Sequence, residues 1–334
     1  MSSTMKARVG FLGVSHPHFA GRAGVLARED GVEIAAVHDP NAELMAAVGA
    51  RFGAKTFEKS KELLKAGLDF VVIEGTNTQC AAFALEAAKA KVPMVLEKPG
   101  AQNLDALRKV AEAAEKARVF CQVGYHLRYS PAVLRAREIV EQGYLGRITT
   151  ARFHCAVMAP SLTNEWFCDP QDRGGLVYLD FCHMLDLLTL FLGMPAEALV
   201  RFRKLEGVPE HPFEDSAAFV FRFDDVLAAG DCCGWEAEDW LHSWSIELYG
   251  TQGTLRVGIH PPAVDLYLRH ARAPYPAGWT RSSDAAYDGD QSYAAELREA
   301  RRRILVGQTP SGADIQHALR LGEILDALYR SQGL

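Results

Sequence analysis

Over residues 6–123, short apolar runs alternate with Ala-rich segments whose apolar residues recur at helical spacing. The apolar runs read ARVGFLG, VEIAAVHD, AKTF, LDFVVIEG, VPMVLEKP and RVFCQVG, and NAELMAAVGARFG is typical of the segments between them. Strands that are apolar on both faces and separated by helices form a parallel sheet covered on both sides. The alternation therefore predicts a doubly wound α/β domain over residues 1–124.

After Gly124 the pattern changes. Two helix candidates, SPAVLRAREIVEQG and FCHMLDLLTLFLG, are followed by strand-like runs joined by short turns such as FDDV and GTQG. Successive strands joined by tight turns are typical of an antiparallel sheet. Helices are expected near residues 291–305 and 314–330, and HARAPYPAGWTRSSDAAYDGD is expected to be a surface loop. Residues 125–334 are thus predicted to form a second α/β domain with a large, mostly antiparallel open sheet.

Composition excludes several classes of protein. The chain has 334 residues, enough for two domains, and its 36 Lys and Arg against 42 Asp and Glu give a net charge of −6. Neither sign forms a block, so bulk charge attracts neither nucleic acid nor an anionic membrane. Seven cysteines without C-x-x-C spacing predict reduced thiols. With no apolar stretch long enough to span a membrane and no signal region, we expect a cytoplasmic protein.

The stretch GVSHPH has part of a dinucleotide-binding turn. Gly13 ends the first predicted strand, where the following helix offers N–H groups and a positive dipole to a pyrophosphate. Ser15 and His18 stand where the pattern G-x-G-x-x-G has its other two glycines, and we expect both side chains, with His16, to contact the cofactor. The alternatives are a plain strand-turn-helix or a metal site at His16 and His18. No nearby acidic or cysteine cluster completes a metal site, so no metal is predicted.

Asp39 ends the second predicted strand. An acidic side chain at this place accepts hydrogen bonds from the adenosine ribose hydroxyls. No Arg or Lys follows immediately in HDPN, and the extra phosphate of NADP would be repelled by the carboxylate. The sequence therefore predicts a dinucleotide-binding Rossmann domain that prefers NAD to NADP.

A sharper signal follows the fifth predicted strand, where Glu97, Lys98 and Pro99 stand in sequence. Further segments agree in order along nearly the whole chain: VGYHLRYSPA, GGLVYLDFCHMLDLL, FEDSAAFVFRF and IELYGTQGTLRV. One E-K-P tripeptide is common by chance, but the ordered set is not. Together the segments resemble the Gfo/Idh/MocA family of NAD(P)-dependent oxidoreductases.

The resemblance implies an activity and the residues that carry it. The activity is hydride transfer between NAD(P) and a secondary hydroxyl of a sugar, inositol or related polyol. Glu97 and Lys98 would lie beside the nicotinamide, with Thr76 and Asn77 of the fourth-strand loop as further cofactor contacts. Lys98 would orient the hydroxyl, and His183 would be the acid/base. An imidazole with a pKa near 6.5 suits proton exchange at neutral pH.

The sequence departs from the family pattern near this site. Cys80 stands where a His is frequent, Gly100 follows E-K-P where a larger apolar residue is usual, and Leu179 replaces an acid four residues before His183. Asp180, three residues before His183, is a candidate catalytic residue and substrate contact. Its alternative role is to cap the helix that runs from residue 181.

Three more residues have both a functional and a structural interpretation. Asp186 shares a helical face with His183, but a structural hydrogen bond is favoured for it. Arg128 is predicted to bind substrate, or else to form a salt bridge between the domains. Trp166 is predicted to wall the substrate pocket, or else to lie in the core.

Two rival functions remain open, and the chain is expected to self-associate. One rival is a catalytically silent protein that senses a dinucleotide or sugar, and the other is a glycoside hydrolase that uses bound NAD. The free face of the second sheet, if apolar, should be buried by self-association, so a homodimer or homotetramer is expected.

Overall fold

The computed structural model describes residues 6–157, 169, 171–172, 174–204, 213–236, 243–284, 287 and 289–333. Internal contacts divide the chain into two units. The first unit comprises residues 1–125 and 293–323, and the second comprises residues 126–292 and 324–334. The assignment of all of residues 125–334 to one domain needs a correction, because residues 293–323 belong to the first unit.

The first unit contains a six-stranded parallel sheet in the order β3-β2-β1-β4-β5-β6. Its strands are β1 (Ala7–Leu12), β2 (Val32–His38), β3 (Lys55–Thr56), β4 (Phe70–Ile73), β5 (Met94–Leu96) and β6 (Cys121–Val123). Between them lie α1 (His18–Arg28), α2 (Ala42–Phe52), α3 (Ser60–Leu63), α4 (Asn77–Ala90) and α5 (Leu104–Ala117). This strand order is that of a Rossmann fold, as predicted.

Polar side chains start the helices of this unit at the carboxyl ends of its strands. Asn41 accepts a hydrogen bond from Leu44 N–H at the start of α2, and Asn103 accepts one from Ala106 N–H at the start of α5. Each bond satisfies an N–H group that has no partner within the helix.

A helix from near the end of the chain completes the first unit's core. Tyr293, Leu297 and Ala300 of α8 (Asp290–Leu305) are buried in the same hydrophobic cluster as Val25 and Leu26 of α1. Their spacing gives α8 an apolar stripe on one face. This packing is the reason for the corrected boundary, because residues distant in sequence supply part of the first unit's interior.

The second unit contains an eight-stranded sheet in the order β14-β13-β12-β11-β7-β10-β9-β8. The strands are β7 (Ile148–Ala156), β8 (Glu197–Arg203), β9 (Ser216–Phe223), β10 (Val226–Cys233), β11 (Ser245–Gly250), β12 (Gly253–Gly258), β13 (Ala263–Leu268) and β14 (Gly278–Ser283). Strands β7 and β10 run parallel, and the other neighbours run antiparallel. Helices α6 (Pro131–Glu141), α7 (Cys182–Leu192) and the end of α9 (Ile315–Ser331) belong to this unit. The mostly antiparallel sheet is as predicted.

Residues 278–283, which the sequence predicts as part of a surface loop, instead form strand β14. It pairs with β13 from Gly278 to Ser283. Most of its residues are polar and exposed, as is usual for the edge of a sheet. An edge strand with so little apolar character gives no alternating signal in the sequence.

The two faces of the second sheet differ in character. Phe219, Phe221 and Phe223 of β9 are buried on one face, where the ring of Phe181 stacks on Phe219 with centroids 4.0 Å apart. The opposite face exposes large apolar side chains, namely Leu199, Val220, Leu227, Tyr267 and Trp279. Within the described ranges, no helix has the length and apolar character needed to cross a bilayer.

Candidate active site

The turn after β1 depends on Gly13. Its φ is +76°, and a Cβ atom there would lie 2.7 Å from both Cα and N of Gly75. Only glycine allows this left-handed conformation and the close approach of the chain segment after β4. Beside it, Ser15 Oγ is buried and has no hydrogen-bond partner among the residues the structure describes. The turn therefore has the tight geometry and the small polar side chain that a phosphate needs.

The carboxylate of Asp39 links two loops at the same edge of the sheet. Its Oδ2 accepts a hydrogen bond from Val14 N–H at 2.8 Å, and its Oδ1 accepts one from Asn41 N–H at 2.8 Å. Each carboxylate oxygen can accept a second bond. Asp39 thus fixes the turn after β1, and its contact with a ribose remains a prediction.

His16 and His18 lie together beside Glu97. The backbone N–H of His18 donates to His16 Nδ1 at 3.1 Å, so neutral His16 carries its proton on Nε2, 3.7 Å from Glu97 Oε1. Nδ1 of His18 is 3.0 Å from the same oxygen. Burial lowers the pKa of both imidazoles well below 6.5, and the charges of Lys98 and Arg22 lower it further. Both imidazoles are therefore neutral at pH 7.

The structure corrects the expectation that no acidic group lies near His16 and His18. An acidic partner is present, because His16, His18 and Glu97 are close enough together to hold an ion. The tautomer argues against that use of the cluster. An imidazole whose Nδ1 accepts a hydrogen bond and whose Nε2 carries the proton offers no lone pair to a metal. The prediction of no metal therefore rests on this hydrogen bond and remains a prediction.

Arg22 of α1 is fully buried and joins the carboxyl ends of three strands. Its Nη1 donates to Glu74 Oε1 at 2.6 Å and to the carboxylate of Glu97. Its Nε donates to Glu296 Oε2 at 3.0 Å, and its Nη2 donates to the carbonyl of Gly124 at 3.1 Å. One guanidinium thus holds the residues that follow β4, β5 and β6, together with α8.

The three carboxyl groups around Arg22 differ in protonation. Burial raises the pKa of Glu74 to about 8 and also raises that of Glu296. Burial acts on Glu97 in the same direction, but the interaction with the adjacent His16 imidazole and the charges of Arg22 and Lys98 outweigh it and hold the pKa of Glu97 below its usual range. Lys98 Nζ lies 3.9 Å from Glu97 Oε1. At pH 7 the charged acid beside Lys98 is therefore Glu97, and Glu74 is protonated.

Sequence reasoning missed Arg22, Glu74 and Glu296. A signal for Arg22 exists, because it follows His18 by four residues and lies on the buried face of α1 with Phe19 and Leu26. Charged residues on the apolar face of a helix are seldom buried unless they are paired. A search for charges at such positions would have found Arg22.

The loop after β4 contains Thr76 and Asn77, and the turn after β5 contains Gly100. Thr76 caps α4, where its hydroxyl accepts a hydrogen bond from Gln79 N–H and Gln79 Oε1 accepts one from Thr76 N–H. Asn77, the first residue of α4, is buried. Gly100 has φ +104°, and a Cβ atom there would lie 2.9 Å from a methyl carbon of Leu107. The departure from the family pattern at Gly100 thus has a conformational reason.

In the second unit, His183 lies on a helix that begins with a π-helical turn. The turn covers Val177–Phe181 and runs into α7, and Phe181 has helical dihedral angles without a side-chain cap. The alternative role of Asp180, capping a helix that begins at residue 181, is wrong because residues 177–181 are already helical. A π turn is frequent at functional sites. His183 itself is 1% exposed.

Arg128, a predicted substrate contact, is bound to Asp186. Arg128 donates from Nε to Asp186 Oδ2 and from Nη2 to Asp186 Oδ1, each at 2.6 Å. Both residues belong to the second unit, so this pair holds the turn after β6 to α7 and is not a bridge between domains. Asp186 thus has the structural role that was favoured for it. Substrate binding by Arg128 remains a prediction, and Trp166 lies outside the described residues.

Comparison with known families decides the class of protein. Residues 7–125 match the model of an oxidoreductase family with an NAD-binding Rossmann fold, and residues 133–256 match the model of the GFO/IDH/MocA C-terminal domain. The chain belongs to the Gfo/Idh/MocA family. The predicted family and fold and the prediction of an NAD-dependent oxidoreductase are thereby confirmed.

Individual family members extend the likeness over most of the chain. Inositol 2-dehydrogenase of Rubrobacter xylanophilus is 26% identical over 86% of this chain and 80% of its own length. The scyllo-inositol 2-dehydrogenase (NAD(+)) of Bacillus subtilis is 22% identical over 95% and 91%. The solved structure of levoglucosan dehydrogenase with NADH and levoglucosan superposes with a TM-score of 0.87 at 17% identity, covering 98% of this chain and 97% of that one. The last comparison shows the shared fold.

Proposed function

We propose that this oxidoreductase is an NAD-preferring dehydrogenase that oxidises a secondary hydroxyl of a sugar, inositol or related polyol. The observation that carries the proposal is the buried E-K-P site, in which Lys98 stands beside a charged Glu97 held by Arg22. The relatives named for inositol and levoglucosan support this substrate class.

The residues at the carboxyl edge of the first sheet fit a dinucleotide. Gly13 and the buried hydroxyl of Ser15 would receive the pyrophosphate, and Asp39 would accept a ribose hydroxyl. Bound NAD would supply a hydride acceptor. His18 was also assigned to the pyrophosphate. Because its ring faces the carboxylate of Glu97 and is neutral at pH 7, we expect it to contribute less than a charged group would.

Side chains of this protein would then accept the proton of the substrate hydroxyl. His183 would take the hydroxyl proton as general base, and Lys98 would orient that oxygen and stabilise its developing negative charge. Asp180 would act through His183 or hold a second hydroxyl. Thr76, Asn77 and Glu97 would support the cofactor side of the site, and Arg128 and Trp166 would contact substrate.

A screen of myo-inositol, scyllo-inositol and levoglucosan tests the proposal. The purified chain is incubated with each polyol and NAD⁺, and NADH is followed by its absorbance. Net reduction of free NAD⁺ with at least one polyol is expected, together with slower turnover when NADP⁺ replaces NAD⁺. If a glycoside is cleaved without net NADH, the chain is an NAD-dependent glycoside hydrolase. If nothing turns over while NAD still binds, the silent sensor is favoured.

We also propose that the exposed face of the second sheet forms a homodimer or homotetramer. Leu199, Val220, Leu227, Tyr267 and Trp279 share this face, interleaved with ion pairs such as Arg256 with Glu247. Exposed apolar area of this kind marks a surface that associates. Light scattering after gel filtration should give a multiple of the chain mass, and Val220→Lys should reduce it. A wild-type monomer would contradict the proposal.

A reducing location such as the cytoplasm fits the cysteines. The six that the structure describes are free thiols, and the thiol of Cys155 donates a hydrogen bond to Cys232 Sγ at 3.2 Å without forming a disulfide. Such a neighbouring pair stays reduced where glutathione and thioredoxin keep thiols reduced.

A further inference from the structure

The helix that carries His183 is capped by a carboxyl group from another part of the second unit. Leu176 stands at the start of this helix, and its apolar side chain cannot cap it. The N–H of Val177 donates instead to Oε1 of Glu214 at 2.9 Å. Glu214 lies in the connection between β8 and β9 and is 5% exposed. The bond satisfies a buried N–H group that has no partner within the helix.

The carboxyl group of Glu214 is itself fixed by a tyrosine of α9. The hydroxyl of Tyr329 donates to the same Oε1 at 2.5 Å. The ring of Tyr329 is buried, with its centroid 4.9 Å from that of Phe202 in β8 and 6.4 Å from that of Tyr178 in the π turn. Because the ring is packed against both neighbours, its hydroxyl holds the carboxyl group in one place.

The glycine-rich segment before the helix is shaped to the same carboxyl group. Gly175 has φ +102°, and a Cβ atom there would lie 2.6 Å from Oε1 and 2.9 Å from Oε2 of Glu214. Only glycine combines this conformation with so close an approach. The second glycine of GGLVYLDFCHMLDLL is thus required by the contact with Glu214.

The segment between this cap and His183 is tightly packed. Within the π turn Val177–Phe181, every residue except Asp180 is buried, and the ring of Phe181 stacks on Phe219. A π turn contains one residue more than an α-helical turn, so it sets the direction of the side chains that follow it. His183 is the second residue after the turn. The place where the turn begins therefore determines where the imidazole lies.

We propose that Glu214 is a positioning residue for His183, because its bond to Val177 N–H fixes the start of the π turn. This inference rests on the proposed function, in which His183 is the general base. A general base must lie within hydrogen-bond reach of the proton that it takes, and a displacement of about 1 Å can lower the rate by about 10²-fold. Tyr329 acts one step further away, since its hydroxyl fixes Glu214.

Three variants and a control separate positioning from folding. Glu214→Met removes the acceptor, whereas Glu214→Gln keeps an oxygen that can accept both bonds. Tyr329→Phe removes only a hydroxyl and disturbs the packing least. Glu141→Met, at an exposed glutamate of α6 in the same unit, is the matched control. Urea unfolding of each variant shows whether it is folded under the assay conditions.

The measurement is kcat for the polyol found in the screen, in the wild-type background and in the His183→Asn background. Glu214→Met should lower kcat of the wild type by about 10- to 10²-fold. Tyr329→Phe should lower it less, and Glu214→Gln should retain most of it. In the His183→Asn background, Glu214→Met should lower the remaining kcat by less than about threefold, because a residue that acts through His183 then has no base to position.

Each other outcome overturns a distinct statement. If Glu214→Met is folded and lowers kcat by the same factor in both backgrounds, or leaves kcat of the wild type unchanged, the assignment of Glu214 is wrong while the proposed function stands. If Glu214→Met does not fold, Tyr329→Phe is measured in the two backgrounds and judged by the same criterion. If wild type binds NAD but oxidises no polyol, the proposed function is wrong, and the assignment of Glu214 is wrong with it.

Discussion

The guanidinium of Arg22 donates a hydrogen bond to the carboxylate of Glu97, and both side chains are buried. Glu97 directly precedes Lys98, so helix α1 holds the turn that presents the lysine. The same guanidinium bonds Glu74 and Glu296, and a change at Arg22 therefore affects three carboxyl groups at once.

Arg22→Met should destabilise the protein strongly. Removing one partner of a buried ion pair leaves the charge of Glu97 uncompensated by Arg22, which costs about 3 to 5 kcal/mol. Urea unfolding at pH 7 measures the loss. The matched control is Arg28→Met, an exposed arginine of the same helix, which should change the free energy of unfolding by under about 0.5 kcal/mol. Equal effects of the two substitutions would refute the central role of Arg22.

Glu74 should make the protein less stable as the pH rises from about 4.5 to about 8. In this window the unfolded chain has released the proton of Glu74, but the folded protein still holds it, because burial raises its pKa to about 8. The unfolded state binds fewer protons, so the free energy of unfolding falls with pH.

Glu74→Gln tests this, because the amide resembles the protonated acid and cannot titrate. Between pH 5 and pH 9 the stability of the variant relative to wild type should rise by about 4 kcal/mol, measured by urea unfolding. Glu112→Gln, at an exposed site, serves as the control. A relative stability of Glu74→Gln that does not change with pH would show that Glu74 is ionised throughout.

His183→Asn should lower kcat by about 10²- to 10⁴-fold while leaving NAD affinity nearly unchanged, since a positioned general base contributes this much. The assay uses the polyol found in the screen. Lys98→Ala should impair kcat as well, and some loss of NAD affinity is expected with it. Full activity of His183→Asn would mean that another group takes the proton.

Asp180→Asn and Asp186→Asn should separate catalysis from structure. Asp186 accepts both bonds of the buried Arg128 guanidinium, so we expect Asp186→Asn to lower stability. Asp180→Asn should lower kcat with stability retained. Urea unfolding and kcat of both variants test this prediction. A stable and fully active Asp180→Asn would show that Asp180 has no role in catalysis.

Asp39 should set the preference for NAD. A 2′-phosphate beside a carboxylate costs on the order of 1 to 3 kcal/mol. Calorimetric titration of wild type and Asp39→Ala with NAD⁺ and NADP⁺ gives the ratio of the two affinities. Because Asp39 also holds the turn at Val14, both affinities should fall in the variant, but the ratio should narrow. Tighter binding of NADP⁺ by the wild type would contradict the assignment.

The spacing of apolar residues predicted the strands and helices that carry this site, because each of these elements in the first 124 residues has its own hydrophobic pattern. The positions of Glu97 after β5 and of His183 within a helix followed from the same pattern, and the roles expected of these residues followed from the family resemblance. The partners of Glu97 could not be predicted in this way. Arg22, Glu74 and Glu296 are far apart in sequence and meet only through the packing of α1, β4 and α8.

The tautomer of His16 was hidden for a related reason. It depends on one hydrogen bond, which the backbone N–H of His18 donates. Residue types alone gave His16 as a possible metal ligand. Strand β14 was missed because an exposed polar edge carries no apolar alternation.

The return of α8 to the first unit constrains how the molecule is made. When residues 1–125 leave the ribosome, Tyr293, Leu297 and Ala300 have not been synthesised, so the nascent core is incomplete on the side of α1. Arg22 then faces Glu74 and Glu97 without Glu296. Contacts between residues so distant in sequence form late and slow folding. The nucleotide-binding half is the first to be translated and among the last to be finished, and a fragment ending at residue 125 would expose apolar surface that full-length protein buries.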